Sequence, residues 1–400
     1  MSGRPAVAPG LPVLVVGAGA QGLTFALHLA SQGRPVVLVE GSAAVGGQAR
    51  SFHYDGFTFD FGLHAFVTRN ERLVQFVSSV LGDELDSFYP CAASRLTGGA
   101  IIEDSSQWRL RGARRHFYDL WPGREDEAWN CMIVSRPPHV LYPRSGGFGR
   151  LFERMAQLFA ERGGRLMLRT SVDPQLFEIQ AGRLEAVALN GRRVRVAGCY
   201  WTAGARPLSP GAGREPAGFL ALYHFLVRGR PRVPYHWVRL YDVDHPLLPR
   251  LAYFPAKFSA RNAPAGHHGI GAVVPLPAEK GLPARLKPVL RWCRERPEDF
   301  ASLVQGHLAR SGLLRDADVI GVRTELLPLP PKDARRRRHR FAGVANFWDC
   351  DDWKLDDPRE SGVPLQMAAA LRAAEEWTAS PSVQPRSSLR TRRPTPALFR

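Results

Sequence analysis

The chain has 400 residues, 44% of them hydrophobic, a formal net charge of +17 and five cysteines. This exceeds one ordinary domain and is too apolar for a disordered chain, while cysteines that are scattered, odd in number and never in a C-x-x-C pair exclude a disulfide framework and predict no metal site. No apolar run is long enough to span a bilayer, so a cytoplasmic protein is expected; the arginines at 335–338, at 340 and in the tail come without a nucleic-acid motif or interleaved aromatics, so they read as a solvated loop and a disordered tail, with weak attraction to an anionic membrane surface as the alternative.

The first elements follow from LPVLVVGAGAQGLTFALHLASQGRPVVLVE, residues 11–40. An apolar β-branched run leads into Gly17, Gly19 and Gly22, then an apolar helical pattern, then a second apolar run ending on Glu40. Strand, tight turn, helix and strand in this order form a dinucleotide cradle. Gly17 allows the sharp turn, Gly19 opens the backbone to a pyrophosphate, and Gly22 lets the helix pack on the sheet. Phosphates would meet the unpaired N–H groups of a helix N-terminus. Glu40 suits ribose hydroxyls and disfavours a 2′-phosphate.

After Glu40 the chain reads GSAAVGGQARSFHYDGFTFDFGLHAF. Gly46 and Gly47 are followed by Ala49 and Arg50, then by Asp60, Gly62 and His64. This pattern resembles the flavin-dependent superfamily that contains protoporphyrinogen oxidases, amine oxidases, phytoene desaturases and UDP-galactopyranose mutases. The resemblance implies an α/β fold of glutathione-reductase-like type: a Rossmann-like FAD-binding domain with an inserted α+β substrate domain. It implies FAD as cofactor, Arg50 near the cofactor phosphates, and Gly62 and His64 beside the isoalloxazine ring. His64 is the one weak candidate for a catalytic side chain, and a structural histidine is an equal reading.

Residues 70–82 have helical spacing closed by a glycine. Family members carry a longer substrate-side region after this point, so 82–140 reads as shortened. At Leu141 the resemblance returns. Gly146, Gly147 and Gly149 precede an amphipathic helix, a strand follows, and the residue matching Val172 would touch adenine through its backbone. Residues 177–203 alternate as a β-meander with a turn at Asn190 and Gly191. Strand-like runs broken by prolines fill 214–330, with His236, Tyr241 and Arg250 as ordinary sheet residues. Near the end, the resemblance places Gly343 in a turn at the flavin. A helix opening around Pro364, Gln366 and Met367 would point at the ring, where its dipole favours negative charge. Asp349, Asp351 and Asp352 read as solvated loop carboxylates.

The expected organisation is an FAD-binding domain from 11–81, 141–206 and 340–378, a substrate domain from 82–140 and 207–339, and a disordered basic tail over 379–400. The function implied is hydride transfer from a C–N or C–C bond of a small organic substrate to the flavin. Two alternatives stay open. One is a nucleotide-sugar mutase-like isomerase; the other is a flavin-binding relative without activity, motivated by the shortened region, Leu63 and Val344.

Overall fold

A computed structural model describes residues 10–62, 64–88, 94–97, 100–102, 139–203, 218–241, 251–277, 287–329, 341, 343–350 and 362–380. Leu63, Asp242, Asp244, Arg250, Asp351, Asp352, the expected boundary at 206–213, the arginines at 335–340 and the tail from 381 lie outside the described residues.

A five-stranded sheet runs in the order Arg165–Met167, Val36–Val39, Val13–Val16, Gly198–Trp201 and Phe347–Asp349, every pair parallel. Parallel strands covered on both faces need apolar residues at every position, and Val13–Val16 and Val36–Val39 are buried throughout. Val13, Val15 and Leu38 face a helical layer that includes Ala20–Ser31, Arg150–Glu161 and Gly362–Ala379. Leu14, Val16, Val37 and Val39 face the antiparallel meander of Glu178–Gln180, Arg183–Leu189 and Arg192–Arg195. This meander turns at Asn190 and Gly191, as the alternation predicts. The helix over 70–82 is Glu71–Leu81, capped by the Asn70 side chain, which accepts the N–H groups of Arg72 and Leu73.

The second sheet has seven strands, in the order Val319–Leu329, Gly218–Arg228, His267–Pro277, Leu251–Tyr253, Trp237–Tyr241, Ser94–Thr97 and Ala100–Ile102. Along Gly218–Arg228 successive side chains alternate between faces. Tyr223 and Phe225 pack with Leu290, Phe300 and Val304 of the helices Lys287–Glu295 and Pro297–Arg310. Leu222 and Leu226 turn the other way, onto Phe57, Phe59 and Phe61. Phe57 and Phe59 belong to the hairpin Ser51–Tyr54 and Phe57–Asp60 that follows the second glycine pair, and Phe61 directly follows it, so the hairpin packs on the second sheet.

One sequence reading is corrected here. Asp349 is buried at 3% exposure as the last residue of the fifth parallel strand, paired in register with Trp201, and is not a solvated loop carboxylate. His236 is buried edge-on to Phe258 and directly precedes the strand Trp237–Tyr241 rather than lying in it.

Candidate functional site

The first strand ends in a turn closed by backbone bonds: Gly17 donates to the Val39 carbonyl at 2.8 Å and Thr202 to the Val16 carbonyl at 2.8 Å. Gly17 has φ of +100°, which L side chains rarely adopt, and a methyl group there would press on the Thr202 hydroxyl. One on Gly22 would overlap the Gly17 carbonyl oxygen, so this glycine sets how closely the helix Ala20–Ser31 approaches the strand. Gly19 differs. It caps that helix with no side-chain hydrogen bond, and a methyl group on it would meet nothing within 4 Å. The open space thus lies where the helix presents its unpaired N–H groups. Gly47 borders the same space, since a methyl group on it would lie 3.4 Å from the Gly19 Cα. Gly46 holds this second loop in place by donating to the Ala18 carbonyl at 2.8 Å.

Glu40 closes the next side. Its carboxylate accepts the Ala18 N–H at 2.8 Å and the Ser42 N–H at 2.9 Å, one on each oxygen, which leaves further lone pairs for hydroxyl donors. The Thr170 N–H donates to the Glu40 carbonyl at 2.9 Å and brings Val172 to this edge. The Val172 side chain is buried against the sheet, and its backbone makes no backbone hydrogen bond among the described residues.

Three other predicted residues are placed differently. Gly343 precedes the strand Phe347–Asp349, whose direction is that of Val13–Val16, so it sits at the end of the sheet opposite the glycine turn. The neighbouring Ala345 N–H bonds the Gly182 carbonyl of the meander there. The last helix begins at Gly362, which makes Gln366 and Met367 its fifth and sixth residues. Only the first four N–H positions of a helix lack internal acceptors. The Gln366 and Met367 N–H groups are therefore bonded within the helix; the Gln366 side chain is exposed and that of Met367 is fully buried in the core. The direction of the helix follows from its packing. Trp377, near its end, packs by Gly198 at the start of a parallel strand, so its beginning lies toward the strand ends that carry the glycine turn.

Arg50 leaves the turn Gly47–Ala49, and its guanidinium lies 4.8 Å from the Phe61 ring centroid and 5.4 Å from that of Phe52. Gly62 is buried beside Phe61, its N–H donating to the Asp60 carbonyl at 2.7 Å. His64 stacks on Phe148 at 5.5 Å, and burial pushes its pKa down to about 4 against a hydrogen bond to the Gly62 backbone. It is a neutral imidazole at physiological pH.

Sequence reasoning missed the polar knot beneath this hairpin. Asp60 is buried, and its carboxylate accepts the Ser51 hydroxyl, the Phe148 N–H and the Tyr142 hydroxyl, each at 2.7 Å. Ser51 in turn accepts the Gly149 N–H at 2.8 Å. Through the Phe148 and Gly149 N–H groups, the loop 146–149 therefore receives a protein carboxylate and hydroxyl at the start of Arg150–Glu161, where a phosphate loop would receive a ligand. Tyr253 donates to the Asp60 carbonyl at 2.8 Å, and Asn262 donates to the Tyr142 hydroxyl at 3.2 Å. Burial pushes the Asp60 carboxyl up to about 6 despite these donors. An acid closing the aromatic alternation FTFD was the available signal.

Residues 15–80 match a family model described as an NAD(P)-binding Rossmann-like domain. Over 52 residues the chain is 46% identical to 4,4'-diapophytoene desaturase (4,4'-diaponeurosporene-forming) of Staphylococcus haemolyticus (strain JCSC1435), a match covering 13% of this chain and 10% of that protein. The chain thus matches about a tenth of the length of this curated relative. Similarity of structure extends much further. Reduced UDP-galactopyranose mutase superposes with a TM-score of 0.65 over 92% of this chain and 96% of that one, at 14% identity. A putrescine oxidase with redesigned cofactor binding gives 0.57 over 92% and 99%, also at 14% identity. At this identity the likeness is one of fold.

Proposed function

We propose that this chain, which has the fold of the FAD-dependent amine oxidase-like superfamily, is an FAD-dependent oxidoreductase removing hydride from a C–N or C–C bond of a small organic substrate. The observation that carries the reading is the open space at the uncapped helix start, bounded by Gly19 and Gly47 and flanked by the Glu40 carboxylate. Its donor set suits a dinucleotide. The N–H groups of the helix start and of Gly47 would hold the pyrophosphate, Glu40 the ribose hydroxyls, and the Val172 backbone the adenine. The N–H groups of Gly362 and Val363 would face the pyrimidine end of the ring; Pro364 has none.

Bound FAD supplies the hydride acceptor, and the chain supplies position and electrostatics. His64 is neutral and stacked on Phe148, so it orients rather than carries charge. A mutase would need tyrosines free to meet a diphosphate. At the hairpin the Tyr142 and Tyr253 hydroxyls are spent on Asp60 and that of Tyr54 on Glu325, while the unpartnered Tyr200 and Tyr223 hydroxyls belong to residues buried in the two cores. Among the described residues no helix is long and apolar enough to cross a membrane; a small-molecule substrate and weak contact with anionic lipid complete the proposal.

The visible absorption spectrum of the purified protein, with the released cofactor identified by mass, tests this reading. Flavin bands and FAD are expected. A colourless protein that FAD cannot reconstitute would overturn it, and turnover that needs a pre-reduced flavin without net substrate oxidation would select the mutase.

A further inference from the structure

The hairpin contains a cation without an anion. The Arg50 carbonyl accepts the Phe61 N–H at 3.0 Å, which fixes the residue at the hairpin base. Its guanidinium rests on Phe52 and Phe61, two rings stacked at 5.1 Å and 25°. The side chain is partly buried, and among the described residues it makes no ion pair or hydrogen bond. The carboxylates of the hairpin and of the strand residue that the Tyr54 hydroxyl reaches are engaged elsewhere. Glu325 accepts the Tyr54 hydroxyl at 3.0 Å, Asp55 pairs with Arg323 at 3.1 Å, and Asp60 is taken by Ser51, Tyr142 and the Phe148 N–H. Five N–H donors of a half-buried guanidinium thus lack an acceptor among the described residues.

The surroundings are apolar and belong to the second sheet. Phe61 packs with Leu222 and Leu327, and Phe52, Leu220 and Val273 are only partly covered. We propose that Arg50 is a specificity residue that binds the carboxylate of a substrate whose apolar body lies along Phe52, Leu220 and Val273. A planar carboxylate matches the guanidinium fork in a bidentate pair, and the aromatic seat holds that fork flat. The same donors could meet a cofactor phosphate. The hairpin and sheet position favours the substrate, because the amides suited to phosphate lie at Gly19 and Gly47. This deepens the oxidoreductase reading and rests on it for the word substrate.

The test uses decanoate and decanol as probes, titrated calorimetrically into the full-length protein, with FAD titrated separately into the apoprotein. Wild type should bind decanoate about tenfold more tightly than decanol, the discrimination one charge-assisted pair provides. Arg50→Gln should abolish that preference and leave FAD affinity unchanged. Arg50→Lys, which keeps the charge and guards against a folding failure of the first variant, should retain part of it. Equal binding of both probes to wild type, or no binding of either, overturns the proposal. So does an Arg50→Gln protein that loses FAD affinity and keeps the preference, which would assign Arg50 to the cofactor phosphate. A protein that takes no FAD yet shows the Arg50-dependent preference keeps the anion subsite and refutes the oxidoreductase reading alone.

Discussion

The Tyr142 hydroxyl donates to the buried Asp60 carboxylate at 2.7 Å, and this pair ties together three parts of the chain distant in sequence. Asp60 ends the hairpin, Tyr142 lies on His139–Pro143, and Asn262, which donates to Tyr142, follows the second sheet's strand Leu251–Tyr253. At the start of Arg150–Glu161 the Asp60 carboxylate receives the Phe148 N–H and the Ser51 hydroxyl receives that of Gly149, donors that would otherwise be orphaned there. The knot therefore fixes the hairpin that carries Phe52 and Phe61 at its two ends, and with it the seat of Arg50.

Asp60 titrates near about 6 when folded and near 3.8 in its ordinary state. A raised folded value means that folding favours the protonated acid. Its contribution is fully present below about pH 3.8 and is lost as pH rises through about 6, a span worth on the order of 3 kcal/mol. Denaturant melts of wild type and Asp60→Asn between these pH values isolate it. Wild type should gain stability relative to the variant as pH falls through the window; a constant difference would show that Asp60 does not titrate there.

The two glycines of the turn should separate folding from ligand binding. Gly22→Ala drives its methyl into the Gly17 carbonyl and should cost several kcal/mol, or the fold itself. Gly19→Ala meets no atom within 4 Å, so thermal stability should hold while FAD affinity drops by about tenfold or more. Paired thermal melts and FAD titrations check both. Equal FAD affinity in Gly19→Ala and wild type would place the phosphates elsewhere.

The glycine turn was legible in the sequence because its constraints are local: Gly17, Gly22 and Glu40 act on the strand and helix they adjoin. The placement of Gly343 was not, because a glycine before a short strand and one after it look alike until the direction of Phe347–Asp349 is known. The Asp60 knot was hidden for another reason. Tyr142, Tyr253 and Asn262 meet it only through tertiary packing, and no spacing rule links them. Asp349 illustrates the same limit: an acidic cluster looks solvated, yet parallel pairing with Trp201 buries its first member.

His64 should not act as a proton carrier. Its pKa, lowered from 6.5 to about 4, keeps the ring neutral at working pH; folding favours the neutral form, and this contribution is present above 6.5 and lost as pH falls toward about 4. His64→Gln should therefore leave the pH–rate profile unchanged in shape between about pH 5 and 8, whatever it does to the absolute rate. Loss of an inflection in that range would show that His64 titrates and would restore its catalytic candidacy.

The last helix offers a test of which of its residues matter and how. Met367 is fully buried among residues that include Phe25, Tyr200 and Trp377, so Met367→Ala should leave a cavity costing about 2–5 kcal/mol. Gln366 is exposed, and Gln366→Ala should change neither stability nor FAD affinity measurably. Gly343 has φ of +94° at the far end of the sheet, so Gly343→Ala should cost about 1 kcal/mol from backbone strain and leave FAD affinity unchanged. Chemical denaturation and FAD titration of the three variants form one experiment. A tenfold loss of FAD affinity in Gln366→Ala or Gly343→Ala, with stability intact, would return those residues to the cofactor; losses confined to stability, largest in Met367→Ala, would leave the helix acting through its direction and its first-turn amides.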